Sequence, residues 1–195
     1  MRMLEPENYR LAREFVRTRA RPLDRALFEY EFDGRAPDAV WDELGRFANR
    51  DGGFGHGIEP DCRLPASSVL GALTAVPYLS RTKAPADHPL VQGGVRHLLD
   101  AYDRPSEAWR MLPPEVNDHP RASWWNYDPE TAAGDLAEHW GNPSAELSKS
   151  TLWLAQRTCH ERFQTPWQTT THHCARRWHR HCRCLDRHTA GTGED

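Results

Sequence analysis

The sequence repeats a pattern of apolar, aromatic and proline residues at an interval of 55 residues. When the chain is shifted by this interval, six pairs of similar residues coincide: Val40 with Val95, Leu44 with Leu99, Phe47 with Tyr102, Phe54 with Trp109, Pro65 with Pro120, and Ser68 with Ser123. The alternative is chance overlap between two helical segments. A unit of this length typically holds one helix pair, which buries its apolar face only against a neighbouring unit. The repeat therefore predicts stacked helix pairs.

Six segments carry apolar residues at helical spacing, and most of them begin at a start signal such as proline or serine. The predicted helices begin close to Pro6, Pro22, Pro37, Ser68, Leu90 and Pro143. The clearest stripe follows Pro37 and consists of Val40, Trp41, Leu44, Phe47 and Ala48. This spacing is typical of a helix with one buried face.

Two of these helices carry more specific expectations. In the first, Leu11, Ala12, Phe15 and Val16 share one apolar face. In the fourth, Pro77 should kink or end the helix, because proline has no N–H to donate to the preceding turn. No segment alternates polar and apolar residues with a period of two, so little or no sheet is expected. The predicted fold class is all-α.

The amino-acid composition excludes several classes of protein. With 38% hydrophobic and 27% charged residues, the chain is neither collagenous nor a highly charged disordered polymer. Its longest uncharged stretch runs from Leu64 to Ser80 and contains two prolines, so no membrane span is predicted. The first residues lack the apolar core of a signal peptide, and we therefore expect a cytoplasmic location.

The chain divides into a helical-repeat domain, residues 1–150, and a tail, residues 151–195. The tail contains four of the five cysteines and six of the eleven histidines. These side chains could bind zinc, but their spacing matches no zinc-finger pattern. Seven arginines could contact nucleic acid, although we do not expect nucleic acid as a partner. The composition favours an irregular or disordered tail, of the kind that an altered reading frame or a truncated gene also produces.

One segment resembles a known repeat. Leu44-x-x-Phe47-x-Asn49-x-Asp51-Gly52-Gly53-Phe54-Gly55, followed by Pro60-Asp61 and an apolar helix, is similar to the repeat of the terpenoid cyclase and protein prenyltransferase superfamily. The resemblance implies an α/α toroid in which the aromatic residue after the glycines packs between neighbouring helices. A closed ring of that family needs about five or six helix pairs, and this chain has room for about three and a half. The resemblance thus implies an incomplete toroid, with an open edge that self-association could cover.

The same resemblance suggests where a binding site would lie. Asp61 or Glu59 would be the proton donor for an alkene or epoxide, provided that the carboxyl faced a dry cavity. An isoprenoid-type substrate would contact residues with ring or charged side chains, namely His56, Arg63, Trp124, Trp125 and Tyr127. Each of these has a plainer interpretation, because glycine-rich loops are usually turns and tryptophans often fill space between helices.

Departures from the family patterns limit the expected chemistry. The chain contains neither the Asp-x-Asp-Asp run of acid-initiated cyclases nor the Asp-Asp-x-x-Asp run that binds magnesium diphosphate. Asp61 and Cys62 are adjacent, whereas the zinc-binding prenyltransferases use Asp-x-Cys with a distant histidine, for which His119 would be the candidate. Adjacent ligands point in different directions, so no metal or cofactor is predicted.

Three functions follow from the sequence as hypotheses. The first is an isoprenoid-binding protein similar to terpenoid cyclases or prenyltransferases, which could start a cyclisation with acid. The second is a non-catalytic helical-repeat scaffold or a truncated, degenerate member of that group. The third is a glycan-active α/α barrel, for which no convincing carboxylate pair is present.

Overall fold

Five α-helices form the framework of the computed structural model, which describes residues 5–105 and 108–129. They are α1 (Pro6–Arg19), α2 (Pro22–Asp33), α3 (Asp38–Gly45), α4 (Val69–Arg81) and α5 (Pro89–Asp100). A minimal antiparallel hairpin pairs β1 (Tyr102–Asp103) with β2 (Ala108–Trp109), and 3-10 turns cover Pro114–Asp118 and Ser123–Trp125. The predicted helical class is confirmed. The sixth predicted helix and the boundary at residue 150 lie outside the described residues.

The helices start at the predicted signals. Proline occupies the first turn of α1, α2 and α5, where its missing N–H has no partner to lose. Ser68 caps α4, since its Oγ accepts the N–H of Gly71 at 3.0 Å. Gly34 ends α2 with φ of 69°, a left-handed conformation that suits glycine.

One predicted helix end is wrong, and one helix continues past a proline at which the sequence predicted either a kink or an end. Helix α3 stops at Gly45, so Phe47 and Ala48 lie in a turn, where the Phe47 C=O accepts the N–H of Gly55. This contact draws the chain into the glycine-rich loop and out of the helix. Helix α4 continues four residues beyond Pro77, to Arg81, although one N–H is missing. Buried apolar side chains at Val76 and Leu79 hold the helix in the core on either side of the proline.

The core lies between α2, α3, α4 and α5. Its largest fully buried side chains are Phe54, Leu23, Leu44, Ile58, Leu79, Leu98, Val40 and Val91. A second, smaller cluster lies under the segment that follows the glycine-rich loop and contains Cys62, Leu64, Leu70, Leu112 and Val116. Among the described residues, no helix is both long and apolar enough to cross a bilayer.

The two copies of the repeat use their aromatic residues in a similar way. Phe54 and Trp109 both belong to the main core, where they are 1% and 2% exposed. Each takes part in a short antiparallel contact, Phe54 with Ala48 in the first segment and Trp109 with Tyr102 in the second. The copies then diverge, because Ser68 opens the 13-residue α4 whereas Ser123 opens a three-residue 3-10 turn.

Helix α1 forms as predicted, but its apolar face is not buried by the described residues. Leu11 is 52% exposed and Phe15 is 65% exposed. The helix contacts α2 through its other side, where the ring centroid of Tyr9 lies 6.5 Å from that of Phe28. Arg13 also donates to Asp33 at 3.0 Å. The polar and aromatic side of α1 therefore faces the fold.

Candidate functional site

The glycine-rich loop that follows α3 is a tight turn packed against α5. The Asn49 N–H donates to the Gly53 C=O at 2.9 Å, and the Gly52 N–H donates to the Asn49 C=O at 3.0 Å. Gly52 has φ of 85°, and a Cβ built on it would lie 2.7 Å from the Cα of Gly93 in α5. Only glycine permits both the conformation and the approach. The turn interpretation of this loop thus accounts for its glycines.

A connected set of polar side chains holds this turn to the start of α4 and to the last turn of α5. Asp51 Oδ1 accepts the Ser67 hydroxyl at 2.7 Å and the Gly53 N–H at 2.9 Å. Asn49 Nδ2 donates to Ser67 Oγ at 3.0 Å, and His97 Nδ1 lies 3.8 Å from Asp51 Oδ2. His97 was not predicted from the sequence, although its position four residues after Gly93 puts both on one face of α5.

The surroundings of Asp51 and His97 favour an ionised Asp51 beside a neutral His97. Burial acts to raise the pKa of Asp51, but hydrogen bonds from Ser67 and the Gly53 N–H, together with the nearby His97, bring this pKa below its usual value. Burial lowers the pKa of His97, against the opposing influence of Asp51 and Asp100. His97 Nε2 is buried and has no hydrogen-bond partner among the described residues.

His56 and Arg63 lie at the solvent-exposed edge of the loop. His56 has φ of 54°, and its Nε2 is 2.8 Å from Asn49 Oδ1. The Arg63 side chain packs over Gly57, where an added Cβ would lie 3.1 Å from Nη1. Both residues are exposed. The structure thus joins His56 to the turn, and it places the Arg63 side chain over the same loop.

Asp61 is the point at which two of the predicted site residues, Trp124 and Trp125, converge. Its Oδ1 accepts the indole N–H of Trp125 at 2.7 Å, and its Oδ2 accepts the indole N–H of Trp124 at 3.1 Å. The two rings point apart as expected of adjacent residues: that of Trp125 packs against the smaller core, while Trp124 is 70% exposed. Only their N–H groups meet at one carboxylate, a geometry that helix or strand periodicity does not anticipate.

Main-chain bonds reinforce this junction between the two copies of the repeat. The Ala122 N–H donates to the Asp61 C=O at 2.8 Å, and the Arg63 N–H donates to the Pro120 C=O at 2.9 Å. Tyr127 lies further along, where its backbone pairs with the Asn117 side chain at 2.7 and 3.0 Å. Tyr127 and Trp125 both pack against the smaller core. The loops of the two copies are therefore cross-linked at Asp61.

Glu59 and Cys62 face a different environment. They line a cavity of about 10 Å³, which is room for about one water molecule. Its other lining residues are Gly55, Gly57, Ile58, Leu64, Ser68, Leu70 and Gly71. Glu59 Oε2 accepts the Thr74 hydroxyl at 3.0 Å, and the Cys62 thiol is buried. Such a space is far below the roughly 300 Å³ or more of a typical ligand pocket, so an isoprenoid chain does not fit in it.

Asp61 and Cys62 therefore do not share a ligand position. Asp61 bonds the indoles, and Cys62 packs among Leu64, Leu70 and Val116. Within residues 5–105 and 108–129, no three His, Cys, Asp or Glu side chains are arranged to hold a metal ion. The structure thus brings together Asp61, Trp124 and Trp125, and separates them from the cavity at Glu59.

Comparison with known proteins adds no relative. No family model, no curated protein and no solved structure matches this chain. The function that we propose therefore rests on the geometry of the described residues.

Proposed function

We propose that this chain is a non-catalytic helical-repeat scaffold whose helix pairs belong to an incomplete α/α toroid of the terpenoid cyclase and prenyltransferase kind. The use of Asp61 carries the proposal. An indole N–H is a donor only, so the two tryptophans need both carboxylate oxygens as acceptors. A proton on either oxygen would occupy a lone pair of that oxygen and weaken its hydrogen bond from the indole. Asp61 therefore acts as a tie between repeats and is poorly arranged to act as a proton donor.

The surrounding contacts support the same function. The glycines of the loop are used for close packing, and Asp51 and Asn49 are used to fix the turn. Asp51 and Asn49 thus form hydrogen bonds that join the loop to the neighbouring helices. A protein of this kind would work in the cytoplasm through its surfaces, and the open edge of its helix stack would be covered by a second copy of the chain.

A second candidate is an isoprenoid-binding protein with cyclase-like or prenyltransferase-like activity. One observation favours it: Glu59 lines a partly enclosed cavity beside apolar side chains, where a carboxyl could serve as an acid. The cavity takes only about one water molecule, so the apolar substrate would have to lie on an outer surface such as that of Trp124. Because the isoprenoid-binding function requires a substrate site outside the cavity, it is the weaker of the two proposals.

Substitution of Asp61 separates the two functions. In Asp61→Asn, an amide N–H₂ would face an indole N–H, so we expect unfolding to become about 1–3 kcal/mol easier. Asp42→Asn, on the exposed side of α3, is the matched control and should change stability by less than about 0.5 kcal/mol. Urea denaturation followed by tryptophan fluorescence measures both.

The wild-type chain, these two variants and Glu59→Gln are then incubated with farnesyl and geranylgeranyl diphosphate, and products are analysed. The scaffold proposal expects no product from the wild-type chain. Product formation that is lost in Asp61→Asn, at unchanged stability, would overturn it and assign the acid role to Asp61. Product formation that is lost in Glu59→Gln but kept in Asp61→Asn would favour the second candidate.

A further inference from the structure

Helix α1 presents an apolar face that points away from the fold. Its half-buried residues are Tyr9, Arg13 and Val16, at the spacing of the side that contacts α2. Leu11 and Phe15 are neighbours on the opposite side of the helix, since residues four apart share a face. They are 52% and 65% exposed, which is unusual for two large apolar side chains that lie together.

A row of charges runs along one edge of this face. Glu7, Arg10, Glu14 and Arg17 are all exposed, and at 100° per residue they fall within one side of the helix. Glu7 and Arg10 bond each other at 2.8 Å within the row. The charges alternate in sign along the helix, negative first and positive last. In a second helix that runs in the opposite direction, each negative charge therefore lies opposite a positive one. Such a sequence is complementary to a second copy of itself that runs in the opposite direction.

We propose that α1 is a self-association surface, at which two copies of this chain pair antiparallel about a two-fold axis. An alignment centred near residue 12 sets Glu7 against Arg17 of the second copy and Arg10 against Glu14. It also places the two Leu11 residues at the centre, with a Phe15 on either side. A two-fold interface of this kind uses the same patch on both copies. The inference rests on the open helix stack of the proposed function and names the surface that closes it.

The size of the helix sets the strength to expect. Fourteen residues make a helix about 21 Å long, and two such faces bury less than the roughly 1,600 Å² of a standard interface. The dimer should therefore be weak and in equilibrium with the monomer. Exposed ion pairs add little strength, so the charge rows act chiefly by choosing the antiparallel orientation.

Sedimentation equilibrium of the full chain, from roughly 5 to 500 µM, tests the surface. We expect a mass that rises from monomer to dimer with concentration. Phe15→Glu, which buries a charge beside the central leucines, should weaken the dimer more than about tenfold. A chain that stays monomeric at every concentration would overturn the proposal. If Phe15→Glu then also lowered the melting temperature, the face would be covered by another part of the same chain.

Charge reversal tests the orientation. Arg10→Glu sets two carboxylates against each other at both symmetry-related contacts with Glu14, and Glu14→Arg sets two guanidinium groups against each other at the same contacts. Each variant should therefore weaken the dimer by roughly tenfold. The Arg10→Glu, Glu14→Arg double variant, or an equal mixture of the two single variants, should restore it. Arg35→Glu, off the face but of equal charge change, is the control.

Two results would count against the antiparallel pairing. A dimer indifferent to both reversals would use another surface, and a dimer weakened by them without recovery in the double variant would not pair antiparallel. Circular dichroism verifies that each variant keeps its helices. Neither result bears on the Asp61 tie, because that proposal is read from the stability of Asp61→Asn in the monomer.

Discussion

Helices α4 and α1 are nearly equal in length, at 13 and 14 residues, but the fold uses them in opposite ways. Helix α4 has seven buried residues, a serine cap and an internal proline that it accommodates. Helix α1 has no buried residue and shows its two largest apolar side chains to the outside. Apolar spacing predicts both helices equally well. The difference lies in what each apolar face meets, which is decided by distant parts of the chain.

The two helices also differ in how closely the backbone is approached. In α4, Gly71 lies directly on the carbonyl group of Phe54, so the helix and the glycine-rich loop meet without a side chain between them. In α1, contact with α2 is made by the tips of rings and by an ion pair. We therefore expect α4 to unfold only with the whole core, and α1 to come away at much lower cost.

The sharpest test of this contrast is one substitution made in both regions. Phe54→Ala removes a ring that is 1% exposed and should destabilise the fold by about 3–5 kcal/mol. Phe15→Ala removes a ring that is 65% exposed and should change stability by less than about 0.5 kcal/mol in dilute protein. Urea denaturation below the dimerisation range compares them. A loss above about 1 kcal/mol in Phe15→Ala would erase the contrast and show that α1 is packed within the chain.

A second pair of variants tests the close approach. In Gly71→Ala the new methyl group would overlap the carbonyl oxygen of Phe54 and lie 2.7 Å from its carbon. Although alanine favours a helix by about 1 kcal/mol over glycine, we expect a net loss of about 2–3 kcal/mol from overpacking. Gly45→Ala, at the last residue of α3, meets nothing within 4 Å and should be neutral or slightly stabilising. Equal stability of the two variants would mean that α4 can shift away from the loop.

Sequence patterns predicted much of the fold, since helix starts and core positions depend on local signals. Proline and serine mark the starts of α1, α2, α4 and α5, and Phe54 and Trp109, which the 55-residue shift aligns, are both buried. The predicted end of α3 was wrong, and at Pro77 the sequence left a kink and an end of α4 as alternatives, because both outcomes depend on contacts with the loop and the core. The spacing of apolar residues indicates that α1 is a helix, but it does not indicate which part of the chain covers the apolar face. Burial of this face could therefore not be predicted from the sequence.

The candidate site was predicted less well, because its geometry arises in loops. Asp61, Trp124 and Trp125 were each singled out, but 62 residues or more separate the aspartate from the indoles, and no local signal indicates that both N–H groups meet one carboxylate. His97 went unnoticed because its role comes from the packing of Gly53 against α5. The resemblance to the cyclase repeat stays a prediction of architecture and leaves the activity open.

The smallest expected effect concerns the polar ties of the two helices. Tyr78 of α4 donates to Asp24 of α2 at 2.6 Å in a half-buried position, and Tyr78→Phe should cost about 1–2 kcal/mol. Arg13 of α1 bonds Asp33 at 3.0 Å near the surface, and Arg13→Gln should leave the melting temperature nearly unchanged. Thermal unfolding at neutral pH measures both. If α1 were held as firmly as α4, Arg13→Gln would lower the melting temperature as much as Tyr78→Phe does.

Alkaline pH extends this comparison, because only the α4 tie contains a tyrosine. Burial and the hydrogen bond to Asp24 raise the pKa of Tyr78 to about 12. Since an unfolded tyrosine ionises near pH 10, the folded chain holds this proton more tightly, so its contribution is complete below about pH 10 and is lost as the pH rises towards 12. Stability measured by urea denaturation across that range should fall steeply in the wild-type chain and in Arg13→Gln, and less steeply in Tyr78→Phe. If stability fell with pH as steeply in Tyr78→Phe as in the wild-type chain, another group would cause the alkaline loss of stability. The hydrogen bond from Tyr78 to Asp24 would then not explain how α4 is held.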